Sequence, residues 1–71
     1  MDDKRLPTDA ELVAELNDLL QLDHDAVGAY TLAIQALPTD AHRDTLVRFR
    51  EDHERHVAEL TELVRRYGGA P

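Results

Sequence analysis

Two histidines and one aspartate are the side chains whose types and spacing favour chemistry in this sequence. His53 and His56 stand three residues apart in FREDHERHVAEL, residues 49–60, and Asp23 stands in QLDHDAVGAY, residues 21–30. Imidazole nitrogens and carboxylate oxygens bind transition metals, and residues at i and i+3 share one face of a helix. The three residues are therefore candidate metal ligands, provided that two helices bring them together.

A first long helix is predicted over residues 9–37, in which Asp23 is central. Thr8 and Glu11 have the spacing of a capping box, in which each side chain satisfies a backbone N–H of the other residue at the start of a helix. Gly28 is the one potential helix breaker in its interior, at a tolerable cost of about 1 kcal/mol. The pattern indicates one uninterrupted arm.

A second long helix is predicted over residues 40–67, where both histidines lie. Pro38 disfavours helical geometry in the residue before it, so the chain turns there, and Thr39 or Asp40 can cap the new helix. The final GGAP ends it with glycines suited to a left-handed cap. Residues 1–71 are thus predicted to form a single all-α hairpin.

Each arm carries an apolar seam with polar exceptions at one level. Steps of four and three residues, typical of an inward-facing stripe, link Leu12, Leu16, Leu19, Asp23, Ala26, Tyr30, Ala33 and Leu37 in the first arm. The same steps link Leu46, Phe49, His53, His56, Leu60, Leu63 and Tyr67 in the second. Folding the arms about residues 39 and 40 brings position 23 level with position 56. The polar exceptions are therefore expected in one inward-facing layer.

The first stripe is wider than one partner helix can cover, because Val13, Leu20, Val27 and Ile34 extend it on one side. The chain has 71 residues and no cysteine, so it buries little apolar surface and has no disulfide to compensate. We expect two copies to pack head beside tail into a four-helix bundle. Two copies each of Asp23, His53 and His56 would then meet at its centre.

Two interpretations of this polar layer stay open at this point. It can bind a metal, or it can be an Asp-His network that fixes the register of the helices. The other polar candidates are weaker: His24 and His42 are expected to be solvated, Asp25 faces outward, and Asp52 and Glu59 flank the second seam. Tyr30 is expected in the core, with a hydroxyl that can reach a ligand of the site.

The composition argues against several classes of partner. Fifteen acidic residues against eight basic ones give a net charge of −7, which opposes binding to nucleic acid or to an anionic membrane. The longest stretch without a charge, residues 26–39, is too short and too polar to span a membrane. The first eleven residues lack the apolar core of a signal peptide. A cytoplasmic protein without membrane or nucleic-acid partners is expected.

The segments LDHDAVGAYTLA and FREDHERHVAEL together resemble the ferritin-like superfamily, in particular rubrerythrin-like proteins and the short chains that form half of a ferritin-type bundle. The segments LNDLL and HVAELTELVRRYGGAP also resemble small bacterial ferritin-like families of unknown function. Hemerythrin-like bundles, in which a DH pair opens a run of ligands, are a second resemblance. The first likeness covers the chain from Asp9 onward.

The ferritin-like resemblance implies a metal site and an oxidoreductase activity. Asp23 and Tyr30 match a carboxylate that lies seven residues before a tyrosine, and His56 matches the histidine of a Glu-x-x-His motif. The implied cofactor is iron, with two irons possible, and the implied chemistry is ferrous iron oxidation or reduction of peroxide or oxygen near Tyr30. His53, however, stands where the motif has glutamate. This imidazole-rich set also suits zinc, copper or nickel.

Overall fold

The computed structural model describes residues 6–38 and 40–71, and this part of the chain forms two α-helices and no strand. Helix α1 spans Asp9–Ala36 and helix α2 spans Asp40–Arg66, and the two pack against each other along their length. The molecule is long and thin, with principal extents of 54 × 27 × 14 Å. The predicted all-α hairpin is confirmed.

The predicted capping box starts α1. The Thr8 hydroxyl accepts a hydrogen bond from the Glu11 backbone N–H at 3.1 Å, and the Glu11 carboxylate accepts one from the Thr8 backbone N–H at 2.9 Å. The helix ends at Ala36, one residue earlier than expected, because Leu37 is already extended with ψ at 133°. This is the geometry that the following proline imposes.

The turn between the helices is braced by an arginine that the sequence analysis did not single out. Arg43 donates from Nη2 to the Leu37 carbonyl oxygen at 2.9 Å, and its Nη1 lies 3.8 Å from Asp40. Asp40 is the first residue of α2 rather than its cap. The alternative cap, Thr39, lies outside the described residues.

The GGAP segment ends α2 and binds back onto α1. Gly68 has a φ of 84°, and the Gly68 and Gly69 N–H groups donate to the Arg65 and Val64 carbonyls at 3.0 and 2.9 Å, which is a Schellman cap. One residue further, the Ala70 carbonyl accepts a hydrogen bond from Asn17 Nδ2 at 3.1 Å. The two helices are therefore linked at the end opposite the turn.

The hairpin covers the predicted stripe only in part. Leu20 and Val64 are the buried apolar residues of the described chain, at 4% and 0% exposure. Leu19 and Phe49, which belong to the predicted seams, expose 49% and 47%. The two helices meet on the side of α1 that carries Val13 and Leu20, because one partner covers only part of so wide a stripe. Most seam residues are half-buried, and Leu19, Phe49, His56 and Tyr67 remain exposed in the single chain.

Both described helices carry too many polar and charged residues to cross a lipid bilayer.

Candidate metal centre

Asp23, His53 and His56 converge between the two helices, as the spacing predicts. Asp23 Oδ1 lies 2.7 Å from His53 Nδ1 and 3.9 Å from His56 Nδ1. The Asp23 side chain is 15% exposed, that of His53 31% and that of His56 47%. The structure thus brings all three predicted residues together, with Asp23 innermost and His56 at the surface.

The cluster lies halfway along the hairpin. Asp23 is at the middle of α1, Asp9–Ala36, and His53 is at the middle of α2, Asp40–Arg66. The turn fixes one end of the helix pair and the Asn17 contact fixes the other. The helices therefore meet with the register that a hairpin of two equal arms requires, and this register sets the Asp23–His53 contact.

The Asp23–His53 contact determines which imidazole nitrogen is free. A carboxylate only accepts hydrogen bonds, so His53 Nδ1–H is the donor at 2.7 Å. The neutral ring then has its lone pair on Nε2. This hydrogen bond satisfies both side chains without an ion, and a metal bound by Asp23 and His53 together would take the place of the proton between them.

The three side chains fit a transition metal in number, type and spacing. One donor atom from each lies within 4.8 Å of the others. Ligands of a tetrahedral zinc ion at about 2.1 Å are about 3.4 Å apart, so a pair at the limit of 4.8 Å must close by roughly 1.4 Å. Rotations of a half-exposed imidazole are sufficient for this change. Within residues 6–38 and 40–71 no other group of three such donors comes together.

Aromatic rings hold His53 from the other side. Tyr30 stacks on His53 with ring centroids 5.4 Å apart and an interplanar angle of 29°, and it meets Phe49 at 6.0 Å and 58°. The His56 ring stands edge-on to His53 at 5.9 Å. His53 is thereby held between a hydrogen bond and an aromatic face, and Tyr30, predicted in the core, is a direct neighbour of a candidate ligand.

One turn from His53, Arg50 links the helices in a way the sequence analysis missed. Arg50 Nη1 donates to the Thr31 hydroxyl at 3.2 Å, while that hydroxyl donates to the Val27 carbonyl at 2.8 Å. The seven-residue spacing of Arg43 and Arg50 was the available signal, because it places both on one face of α2. Arg50 helps to fix the helix spacing next to the cluster.

The weaker candidates lie away from the cluster. His24 and His42 are exposed, as expected. Asp25, which faces outward, accepts a hydrogen bond from Gln21 at 3.0 Å, and Asp52 pairs with Arg55 at 3.2 Å. Glu59 is exposed on α2 beside the surface that His56 borders. None of these five residues contributes a donor to the Asp23 group.

An open groove leads away from the cluster along α2. Asp23 and His56 line its inner end, Leu19, Leu60 and Leu63 form its apolar floor, and Glu59, Glu62 and Arg66 stand among its lining residues. His56 therefore faces both Asp23 and an apolar surface. This groove is the part of the predicted seam that the hairpin leaves uncovered.

The fold and the cluster define a class of protein: a two-helix hairpin with a carboxylate-imidazole centre at mid-length. A family model described as a domain of unknown function, DUF2383, matches residues 11–71. The chain belongs to this family. Neither the curated proteins nor the solved structures gave a match to the chain.

Proposed function

We propose that this protein binds a transition metal, iron first, with Asp23, His53 and His56, and uses it in ferroxidase or peroxide-reducing oxidoreductase chemistry. The observation that carries the proposal is the convergence of three donor atoms within 4.8 Å from two different helices. It agrees with the ferritin-like resemblance of the segments that contain these residues. The cytoplasm is the proposed compartment.

A second copy of the chain is part of this proposal. One hairpin offers three donors, whereas transition metals take four to six ligands. The apolar surface around His56 is open in the single chain. A homodimer with the form of a ferritin-like four-helix bundle covers this surface and doubles the ligand set to two aspartates and four histidines.

The protein residues have separate roles in this chemistry. Bound iron supplies the change of oxidation state, and the protein orients its ligands and limits the access of water. Asp23 and His53 are hydrogen-bonded through Nδ1 in the ion-free site, and a metal that binds both residues would displace the proton between Asp23 Oδ1 and His53 Nδ1. Tyr30 packs on the same ring and limits its rotation. His56, at the groove, is the ligand that exchanging ions or small oxidants meet first.

Two other functions follow from specific features of the cluster. The imidazole-rich donor set favours zinc, copper or nickel as much as iron, so a non-catalytic role in metal binding or storage is the main alternative. The direct 2.7 Å contact between Asp23 and His53 also satisfies both side chains without any ion. A structural bundle whose Asp-His layer sets helix register is therefore the second alternative.

Metal analysis of the purified protein tests the proposal. The wild type should bind close to stoichiometric metal, and His53→Ala and His56→Ala should lose it. His24→Ala and His42→Ala are matched controls, because they remove exposed histidines outside the cluster and should leave the metal content unchanged. Protein that refuses added iron, zinc and copper and shows no thermal response to chelation would support the structural bundle. A spectroscopic assay of ferrous iron oxidation distinguishes an enzyme, which oxidises the iron, from a protein that only binds or stores metal.

A further inference from the structure

The surface around the cluster is apolar on both sides of it and has no cover within the described chain. Leu19 and Tyr67 are exposed on the side toward the chain ends, and Phe49 on the side toward the turn, by 49%, 41% and 47%. We propose that a second copy binds here antiparallel, related by a two-fold axis at the level of Asp23 and His53. We further propose that metal at the joined clusters strengthens this association, an inference that rests on the proposed function.

The mid-length position of the cluster makes this arrangement possible. A two-fold axis perpendicular to the helices exchanges the two ends of the hairpin, so only residues near mid-length meet their own copies. Asp23 and His53 lie at the middle of their helices. The two clusters therefore face each other. The part of the surface near the turn of one copy contacts the part near the chain ends of the other copy.

The two halves of the surface differ, because one carries the groove and the other an exposed aromatic ring. The groove is lined by residues from His56 to Arg66, which lie about 5 to 20 Å beyond the level of His53 along α2. Phe49 stands about 6 Å on the other side of that level and projects from it. After the two-fold rotation, Phe49 of each copy lies level with the inner part of the other copy's groove. The aromatic rings fill both grooves and flank the joined clusters.

The charges of α1 favour the antiparallel arrangement. All acidic residues of this helix lie between Asp9 and Asp25, and residues 26–36 carry no charge. In the antiparallel arrangement α1 runs beside the α1 of the second copy, so the acidic half of each helix faces an uncharged half. For a chain of net charge −7, this avoids the like-charge repulsion that opposes association.

The charges of α2 point the same way. Arg48 lies five residues before His53 and Glu59 lies six residues after it. The two-fold rotation therefore brings Arg48 of each copy to nearly the same level as Glu59 of the other copy. In a parallel arrangement, α2 instead runs beside the α1 of the second copy. Glu59 and Glu62 would then lie level with the acidic Glu15 and Asp18, and the acidic sides of the two copies would repel.

Shared coordination couples metal binding to association. His56 is 47% exposed at the interface surface, and the three donors of one chain leave the coordination of a metal incomplete. A ligand that binds the dimer more tightly than the monomer shifts the equilibrium toward the dimer by mass action. Metal supply would thus control the fraction of assembled protein.

Analytical ultracentrifugation with Zn²⁺, a probe without redox chemistry, tests the coupling. The dissociation constant of the dimer should fall about tenfold or more when Zn²⁺ replaces a chelator. His56→Ala should abolish this response, and the matched variant His42→Ala should retain it. A chain that stays monomeric with Zn²⁺, or a dimer that Zn²⁺ leaves unchanged, overturns the inference.

Spin labels test the antiparallel geometry, because the chain has no native cysteine. Arg65→Cys labels lie about 18 Å from the level of the axis, so they should be about 36 Å apart or more. In a parallel dimer they would share one level and be separated mainly by the bundle width of about 14 Å and the label arms. Glu54→Cys, an exposed position near mid-length, is the control and should give a short distance. A short Arg65→Cys distance overturns the arrangement.

Phe49→Glu separates this inference from the proposed function. The variant should be helical by circular dichroism and monomeric, and its Zn²⁺ affinity by calorimetry should fall by about tenfold or more. A helical monomer that binds one Zn²⁺ per chain as tightly as the wild type refutes the coupling but leaves the metal site standing. A wild-type dimer that binds no Zn²⁺, Fe²⁺ or Cu²⁺ refutes the proposed function and the coupling together.

Discussion

Asp23 and His53 are joined by a 2.7 Å hydrogen bond that crosses the hairpin at the middle of both helices. In the ion-free site this bond orients the imidazole through Nδ1. His56 Nδ1 lies 3.9 Å from the same carboxylate oxygen, so one aspartate is close to both histidines. The predictions about the site depend on this central role of Asp23.

Asp23→Asn should lower metal affinity by about 10- to 100-fold or more while the helix content is retained. The amide has the size of the carboxylate but loses its charge, and substitution of groups that orient metal-binding histidines has effects of this size. Isothermal titration with Zn²⁺ measures the change. Asp25→Asn, two residues along α1 on its outward-facing side, is the matched control and should bind like the wild type. Equal affinity in Asp23→Asn would exclude Asp23 from the site.

Replacing the cluster by leucine distinguishes a functional site from a structural network. The triple variant Asp23→Leu, His53→Leu, His56→Leu should raise metal-free stability by about 1–4 kcal/mol, because polar groups at an interface are replaced by apolar packing. Chemical denaturation at fixed protein concentration measures this free energy of unfolding. Lower stability, or a mixture of oligomers in place of one species, would instead assign the cluster to fixing the register.

Tyr30→Phe should distinguish the contribution of the Tyr30 ring to metal affinity from that of its hydroxyl to oxidation. The ring stacks on His53 at 5.4 Å, and phenylalanine preserves this contact, so Zn²⁺ affinity should be unchanged. If the tyrosine takes part in oxidation, as the ferritin-like resemblance implies, the rate of ferrous oxidation should fall. Stopped-flow absorbance measures that rate. Tyr30→Ala, which also loses the stacking, should lower both affinity and rate.

Glycines at two positions should respond to alanine in opposite directions. A Cβ on Gly69 would overlap the Val13 side chain where the GGAP segment crosses α1, so Gly69→Ala should destabilise the protein by about 1–3 kcal/mol. A Cβ on Gly28 meets nothing within 4 Å, so Gly28→Ala should stabilise it by about 1 kcal/mol. Thermal denaturation measures both. Two shifts of the same sign would contradict this packing.

Periodicity and capping rules were sufficient to predict the helices and the convergence of the three polar residues. The Thr8–Glu11 box, Pro38 and the final glycines mark the helix ends, and equal arms folded at one turn must bring Asp23 level with the histidines. These features depend on local backbone geometry, which single residues determine. Local rules therefore predict the register as well as the fold.

The side on which the hairpin closes could not be predicted in the same way. The stripe on α1 is wide enough to pack in two directions, and the choice of the Leu20 side depends on cross-helix contacts such as Arg50 with Thr31 and Gly69 with Val13. A helix pattern gives the angular position of a residue but does not identify its partner. For this reason His56, expected to face inward, lies at the surface of the single chain.

The contact of Asn17 with Ala70 has a mechanical consequence for the candidate metal centre. Together with the Arg43–Leu37 contact it links the two helices at both ends of the hairpin. Helices that are linked at both ends separate little at mid-length unless one of these contacts is lost. The separation of the helix backbones at Asp23 and His53 is then fixed, and an ion bound as proposed would be accommodated by side-chain rotation. Removal of the Asn17–Ala70 or the Arg43–Leu37 hydrogen bond should broaden the range of ionic radii that the candidate centre accepts.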